Sequence, residues 1–220
     1  MNLSLYFRLF FMRLRFYCIK ISSCAKIEGK CCCKNLKITT INNAQKNKII
    51  FGKHVILKNC HIRFEGNNHT LQLGNNIKLE NVNFLFEKDN SHIIIGDYTW
   101  IGPQSELSAF DNSSITIGKN CIFAKECMLR TSDSHIIKDS QDNVINRPRN
   151  IQIGSHVWLG QQTFVLKGAN IPDGCIVGAR STVTASSKTE PNSILVGQPA
   201  KTIKKTYHGN YKRYGQNLNY

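Results

Sequence analysis

An aliphatic residue returns at every sixth position over the stretch from Ile153 to Val183. The aliphatic residues are Ile153, Leu159, Val165, Ile171, Val177 and Val183. A period of six residues fits neither an α-helix, which repeats about every 3.6 residues, nor a strand that simply alternates between two faces. It is typical of a solenoid in which short flat strands are joined by tight turns. The pattern therefore predicts an all-β repeat fold.

The same register extends back through the chain in longer coils. The six predicted coils begin at Phe51, Leu73, Ile95, Ile117, Ile153 and Ile171. The first four starts are 22 residues apart and the last two are 18 apart, so the longer coils carry four extra residues at one corner. We expect a three-sided prism whose aliphatic residues point inward and whose parallel strands stack about 4.8 Å apart. The glycine that follows many of these aliphatic residues is expected to take backbone shapes that other residues resist.

One long polar stretch interrupts the repeat. It lies between Leu129 and the coil that begins at Ile153. A loop of this length inside a compact domain is usually functional or disordered, so the candidate chemistry is sought there. The predicted parts are an N-terminal basic amphipathic segment and lead-in over residues 1–45, a β-helix over 46–190 with the loop 131–150, and a C-terminal cofactor-proximal segment with a polar tail over 191–220.

The basic N-terminal sequence leaves two interpretations open. The formal net charge of +15 favours anionic partners such as nucleic acid, a lipid surface or a phosphate-bearing cofactor. Residues 1–21 are rich in apolar and aromatic side chains, but four basic residues interrupt them, so no uncharged run reaches the ~18–20 residues of a membrane span. No small-residue cleavage site follows, which argues against a secretory signal. The segment is predicted to be an amphipathic helix that makes a peripheral contact with an anionic bilayer, or that packs on the body or on a neighbouring subunit.

The nine cysteines do not follow the spacing of a zinc site or a disulfide framework. No C-x-x-C pair occurs, and Cys121, Cys127 and Cys175 occupy the small-residue position of six-residue units. We expect them to be small buried hydrophobic residues. This usage predicts a reduced, cytoplasmic protein without a metal.

Four stretches of the chain resemble the hexapeptide-repeat acyltransferases. They are "TSDSHIIKD" (131–139), "IQIGSHVWLGQQTFVLKGANI" (151–171), "VGARSTVT" (177–184) and "ILVGQPAKTIKK" (194–205). They are similar to the branch of galactoside and maltose acetyltransferases, and closer still to the O-acetyltransferases of capsule and lipopolysaccharide synthesis. The resemblance covers residues 51–205. It implies a left-handed parallel β-helix, a homotrimer, and acetyl-coenzyme A bound as co-substrate in the groove between two prisms.

The resemblance also implies roles for individual residues. His135 matches the histidine that acts as general base, and Trp158, in the V-W-L-G motif, would wall the acceptor site. An acceptor-positioning asparagine that sugar acetyltransferases carry upstream of this histidine cannot be aligned here, which leaves the acceptor open. The candidates for contact with the cofactor are Gly160, Ala179, Thr184, Lys201 and Lys204. The two lysines would pair with the phosphates of coenzyme A, with a solvated tail as the alternative.

Histidine suits acyl transfer because its pKa lies near neutrality, so it can take the proton of an attacking hydroxyl group. Direct transfer from a thioester needs no acyl-enzyme, and no Ser-His-Asp set is visible in the sequence. Asp133 and Asp139 lie close to His135 in the chain, and a carboxylate on one ring nitrogen would fix its tautomer. The alternatives are that both acids are solvated, or that a backbone carbonyl orients the ring. The resemblance therefore implies an O-acetyltransferase that acts on a sugar or polysaccharide intermediate, and the chemistry of His135 is consistent with it.

A hexapeptide-repeat solenoid can also serve other functions. A non-catalytic β-helix that serves as a scaffold or binding module stays open. Nucleic-acid binding is not expected, because no recognised motif is present and the basic residues are taken to be spread along the chain. A hexapeptide carbonic anhydrase would need three histidines on zinc, and no close histidine pair flanks the loop. His54 and His156 occupy the fourth place of a hexad and are expected to face solvent.

Overall fold

The computed structural model describes residues 16–22 and 25–205 as a three-sided solenoid of parallel strands. These residues contain 23 strands and no α-helix. Accordingly, none of the chain described here forms a helix suited to crossing a membrane. The all-β repeat architecture predicted from the six-residue period is confirmed.

The strands stack on three faces. The first face is a seven-stranded sheet of β2 (Lys26–Glu28), β4 (Lys48–Phe51), β7 (Thr70–Leu73), β10 (His92–Ile95), β13 (Ser114–Ile117), β16 (Ile151–Ile153) and β19 (Asn170–Ile171). The second face holds the first half of β3 (Cys31–Thr40), then β5 (Val55–Lys58), β8 (Lys78–Glu80), β11 (Trp100–Ile101), β14 (Ile122–Phe123), β17 (Trp158–Leu159) and β20 (Ile176–Val177). The third face holds the second half of β3, then β6 (His61–Phe64), β9 (Val82–Glu87), β12 (Ser105–Phe110), β15 (Met128–Arg130), β18 (Phe164–Leu166) and β21 (Thr182–Val183).

Additional strands cover the two ends of the stack. At the C-terminal end, β22 (Ser193–Gly197) continues the second face and pairs in antiparallel fashion with β23 (Ala200–Lys205). At the N-terminal end, β1 (Phe16–Ser22) pairs in parallel with β3. Residues 16–21 are therefore a strand, and the predicted amphipathic helix is wrong over that part because the open edge of β3 offers unpaired backbone groups. The rest of the predicted helix, residues 1–15, lies outside the described residues.

The register of the first face confirms the predicted repeat. The six coil starts stack on one another in a single inward column, from Phe51 through Leu73, Ile95, Ile117 and Ile153 to Ile171, and all six are buried. The stack also extends one coil upstream, because β2 pairs with β4. The period was hidden there because Cys31 and Cys33 take inward positions that aliphatic residues hold elsewhere.

Three further cysteines fill inward positions as predicted. Cys121, Cys127 and Cys175 are each 0% exposed. Burial raises the pKa of the Cys121 thiol to about 11 and that of Cys127 to about 12. These thiols therefore stay protonated near neutral pH and act as small hydrophobic residues of the core.

Glycine at the corner between the first and second faces serves close packing. A Cβ atom added to Gly96 would lie 2.7 Å from the backbone carbon of Gly118 in the next coil. The left-handed backbone occurs two residues later, at Tyr98 (φ 57) and Asn120 (φ 56). The expectation that these glycines supply the unusual backbone shape is wrong, because a strand spacing of about 4.8 Å simply leaves no room for a side chain.

The four extra residues of the longer coils lie at the corner between the third and first faces. Their amide side chains form a ladder: Asn68 donates to Asn90 at 3.1 Å, and Asn90 donates to Asn112 at 3.0 Å. The loop 131–150 leaves the prism at this same corner, between β15 and β16. The loop is therefore inserted at the corner where the longer coils carry their four extra residues. Its insertion leaves the pairing of β13 with β16 intact.

A buried histidine at this corner gives the fold a pH dependence. The ring of His69 stacks on Phe64 and contacts Phe86, and its Nδ1 accepts a hydrogen bond from the Ser91 N–H at 3.2 Å. Burial lowers the pKa of His69 to about 4. An unfolded histidine titrates near about 6.5, so the unfolded chain binds a proton that the folded chain rejects. The free energy of unfolding should fall as the pH drops from about 6.5 towards 4.

Thermal unfolding midpoints across that pH window measure the effect. His69→Asn is the matched control, because its side-chain oxygen can still accept the Ser91 hydrogen bond but does not titrate. The wild type should lose more stability on acidification than this variant. Equal losses would contradict the assignment of the acid sensitivity to His69.

Candidate active site

The loop 131–150 is held to the prism by an ion pair. Lys167, which directly follows β18, contacts the carboxylate of Asp133 and donates to the carbonyl oxygen of Asn146 at 2.9 Å. The Lys167 ammonium group and the Asn146 amide lower the pKa of the Asp133 carboxyl group. Asp133 is therefore a carboxylate whose structural role is to tie the loop to the last coils.

Asn146 fixes the backbone on both sides of His135. Its Nδ2 donates to the carbonyl oxygen of His135 at 2.8 Å and to Oδ2 of Asp133 at 2.9 Å. Its Oδ1 accepts a hydrogen bond from the Ile137 N–H at 2.7 Å. Sequence reasoning missed Asn146, because a single asparagine in a polar loop carries no motif.

The imidazole of His135 is left open by this framework. The residue is exposed, and in the described part of the chain its ring accepts and donates no hydrogen bond. Its backbone is fixed through Asn146, so a rigidly placed main chain carries an accessible ring. This is the arrangement that a base needs if its partner is a substrate.

The two candidate carboxylate partners of His135 lie elsewhere. Asp133 is engaged with Lys167 and Asn146. Asp139 accepts hydrogen bonds from the N–H groups of Gln141 and Asn143, both at 2.9 Å, and these bonds lower the pKa of its carboxyl group. The structure thus links Asp133 to His135 through Asn146, while Asp139 caps the turn of the loop.

Trp158 lies on the second face, across the prism from the loop. Its side chain is 39% exposed on the outer surface, between Ile122 and Ile176 of the neighbouring coils. The loop leaves from the corner between the other two faces, so one chain carries His135 and Trp158 on opposite sides. A site that uses both residues therefore needs two copies of the chain.

Trp158 belongs to a continuous apolar surface. We call it the apolar column, and it consists of Trp100, Ile122, Trp158, Ile176 and Ile194 on successive strands of the second face. A second group of exposed apolar side chains lies on the loop: Ile136 is 71% exposed, Ile137 51% and Ile145 62%. Apolar patches of this kind mark surfaces that a partner covers.

Two cofactor candidates meet at the corner between the second and third faces. Gly160 and Ala179 stack there so closely that a Cβ atom on Gly160 would lie 2.5 Å from the Ala179 nitrogen. A groove at the same corner is lined by Glu126, Gln162, Phe164, Arg180 and Gln198. Gln162 donates to Glu126 at 2.6 Å, and Arg180 donates to Gln162 at 2.9 Å. Sequence reasoning missed Arg180, although it directly follows Ala179.

The remaining cofactor candidates lie elsewhere at the C-terminal end of the prism. Thr184 follows β21 on the third face, and its hydroxyl lies 2.9 Å from that of Ser186. Lys201 and Lys204 are exposed on β23, paired with Val196 and Ile194 at the end of the second face. The structure therefore brings all five candidates to the C-terminal end of the prism, but only Gly160 and Ala179 to one corner.

The other polar candidates take structural positions. His54 and His156 are exposed at a corner with a left-handed backbone, at φ 57 and φ 55. Among residues 16–22 and 25–205, no three histidine, cysteine or acidic residues are grouped so as to hold a metal ion.

Comparison with known proteins gives local sequence matches and extensive structural ones. No family model matches the chain. Over 58 residues it is 45% identical to the putative lipopolysaccharide biosynthesis O-acetyl transferase WbbJ of Escherichia coli K12, which covers 26% of this chain and 29% of the relative. The chain spans only 25–30% of the length of such curated relatives, which include chloramphenicol and macrolide acetyltransferases.

Two solved structures are similar over almost the whole chain. The polySia-specific acetyltransferase NeuO is 25% identical with a TM-score of 0.76, covering 92% of this chain and 85% of that one. The polysialic acid O-acetyltransferase OatWY is 25% identical with a TM-score of 0.67, covering 91% and 90%. The hexad register, the interrupting loop and these similarities lead to one conclusion. The chain has the left-handed parallel β-helix fold and is similar to the hexapeptide-repeat acetyltransferases, near the O-acetyltransferases of capsule and lipopolysaccharide synthesis.

Proposed function

We propose that this chain is an acetyl-coenzyme A-dependent O-acetyltransferase that acts on a sugar or polysaccharide intermediate. The observation that carries the proposal is the loop, where Asn146 and Lys167 fix the main chain around His135 while its ring stays accessible. Support for a glycan acceptor comes from the similarity to NeuO and OatWY, which are named as acetyltransferases of polysialic acid.

His135 is the general base of the proposed reaction. A ring nitrogen takes the proton of the acceptor hydroxyl as its oxygen attacks the carbonyl carbon of the thioester. The C–S bond then breaks, and the imidazolium returns the proton to the leaving thiolate of coenzyme A. The acetyl ester and free coenzyme A form without an acyl-enzyme. A positioned base contributes about 10²–10⁴-fold to such a reaction.

The proposed active site is shared between copies in a homotrimer. His135 of one copy and Trp158 of its neighbour can meet, whereas those of a single copy lie on opposite sides of the prism. The apolar column and the exposed isoleucines of the loop give the neighbouring copies surfaces to bury. Trp158 would then form a wall of the acceptor site, as its aromatic ring is suited to pack on a sugar.

The proposed place for acetyl-coenzyme A is the C-terminal part of the groove beside Gly160 and Ala179. Thr184 and the cations Lys201 and Lys204 lie at the same end of the prism, and the two lysines would make charge-assisted contacts with the phosphates of the co-substrate. The co-substrate is a cytoplasmic metabolite, so the proposed location is the cytoplasm. Peripheral contact of residues 1–21 with the membrane remains part of the proposal.

Complementation between inactive copies tests the shared site. His135→Ala and Trp158→Ala should each lower coenzyme A release from acetyl-coenzyme A. Co-expression of the two variants should restore part of the activity, because some interfaces in mixed trimers then combine an intact His135 with an intact Trp158. Mixing of the purified variants without subunit exchange is the control. No recovery in verified mixed trimers would contradict a site shared by these two residues.

The acceptor is tested by coenzyme A release over a panel of sugars, glycans and chloramphenicol. Release with at least one sugar or glycan is the expected result. Turnover of chloramphenicol alone would overturn the glycan acceptor. No turnover of any acceptor by the wild type would favour a non-catalytic scaffold.

A further inference from the structure

The positive charge of this chain is concentrated at one end. Residues 1–64 hold thirteen basic residues and one acidic residue, a net +12, and residues 65–220 hold the remaining +3. The expectation that the basic residues are spread along the chain is therefore wrong. Each coil of the solenoid stacks on the one before it, so the order of residues along the sequence is also their order along the prism axis. The positive charge is therefore concentrated at the N-terminal end of the prism.

Seven lysines of the first two coils surround the N-terminal end of the prism. We call them the basic ring: Lys26, Lys30, Lys34, Lys37, Lys48, Lys53 and Lys58. Lys26 stacks on Lys48 on the first face, Lys34 on Lys58 on the second, and Lys37 lies on the third. The ring therefore reaches all three faces.

Little of the charge on the basic ring is paired in the part of the chain that the structure describes. Glu28 accepts ion pairs from Lys26 and Lys48, both at 3.0 Å. The other five lysines of the basic ring form no ion pair with any residue that the structure describes, and all five are exposed. Net charge of one sign that is held together in this way favours an anionic partner.

The geometry of the ring favours a flat partner. Each face is about six residues wide, or roughly 20 Å at the rise of a strand, so a single polymer chain would touch the lysines of one face and miss the others. A plane across the prism axis meets all three faces together. The chain before β3 also arrives at this end, through β1.

We propose that the basic ring docks the N-terminal end of the prism on an anionic lipid bilayer. The axis of the prism then points away from the membrane, and the C-terminal groove faces the aqueous side. This docking surface consists of residues of the solenoid itself and adds to any contact made by residues 1–21. It does not depend on acyltransferase activity.

Vesicle sedimentation with the full chain tests the proposal. Lys30→Gln/Lys34→Gln/Lys37→Gln removes three exposed lysines of the first coil, and Lys119→Gln/Lys138→Gln/Lys188→Gln removes the same charge from the C-terminal half. Each basic residue near an anionic leaflet contributes about 1 kcal/mol, roughly fivefold in partitioning. The first variant should bind phosphatidylcholine–phosphatidylglycerol vesicles about tenfold to a hundredfold more weakly than the wild type, and the second should bind nearly as well as the wild type.

Further arms of the experiment separate the partners. Pure phosphatidylcholine vesicles should bind little protein, and added salt should release it from anionic vesicles. Equal losses in both triple variants would overturn a localised docking surface. Failure of the wild type to bind anionic vesicles, combined with binding to heparin that the first variant loses, would assign the ring to an anionic polysaccharide instead.

Discussion

Replacement of His135 by alanine is expected to lower kcat for coenzyme A release by about 10²–10⁴-fold, the contribution of a positioned general base. The ring is exposed and its backbone is fixed through Asn146, so its loss removes the base and leaves the loop framework intact. KM for acetyl-coenzyme A should change little, since the proposed groove lies at another corner. Steady-state kinetics with the preferred acceptor measure both parameters.

His92→Ala is the matched control for this experiment. His92 is exposed on the first face, and its loss should leave kcat within a few-fold of the wild type. A His135→Ala enzyme with full turnover would exclude His135 as the base. A large loss in both variants would point to a general effect of histidine removal.

Asn146→Ala is expected to lower kcat by about 10²-fold with little change in KM for acetyl-coenzyme A. The side chain makes three hydrogen bonds that fix the main chain on both sides of His135. A displacement of about 1 Å at a reacting group can cost this much. Because Asn146 acts through His135, the plateau rate should fall while the shape of the pH–rate profile is retained.

Two variants test whether Asn146 is a positioning residue. Asn143→Ala removes an asparagine of the same loop whose side chain contacts Asp139, and should leave kcat nearly unchanged. Asn146→Asp keeps an acceptor for the Ile137 N–H but loses both donated hydrogen bonds, and should not restore the rate. A normal kcat in Asn146→Ala would contradict a positioning role for Asn146. So would a fall in kcat that is explained by a lower thermal unfolding midpoint of the whole chain.

The sequence predicted the fold well in the coils where the inward positions carry a regular pattern of apolar side chains. The inward column from Phe51 to Ile171 has a chemical signature, because large apolar residues recur at its buried positions with a fixed spacing. The first coil was missed because cysteines replace aliphatic residues at its inward positions. The strand at residues 16–22 was missed because its partner is the open edge of β3, and pairing with a distant edge leaves no local pattern.

The candidate site could be predicted only in part. The break in the repeat identified the loop that carries His135, and the V-W-L-G motif singled out Trp158. The ion pair and hydrogen bonds among Asn146, Asp133 and Lys167 join residues up to 34 positions apart, and no local sequence pattern predicts them. Asp133 was one of two candidate partners for the imidazole, yet it contacts the ammonium group of Lys167 in a charge-assisted pair.

The widened corner between the third and first faces has a consequence for how this scaffold can change. Extra residues at that corner lie outside the stacked strands. The four extra residues of the longer coils and the loop 131–150 are both examples, because the strands on either side of them keep their pairing. Segments of other lengths could replace the loop without shifting any inward residue below it. Relatives with this fold could therefore differ in the acceptor they bind by exchanging this one loop, while the stacked coils of the β-helix stay the same.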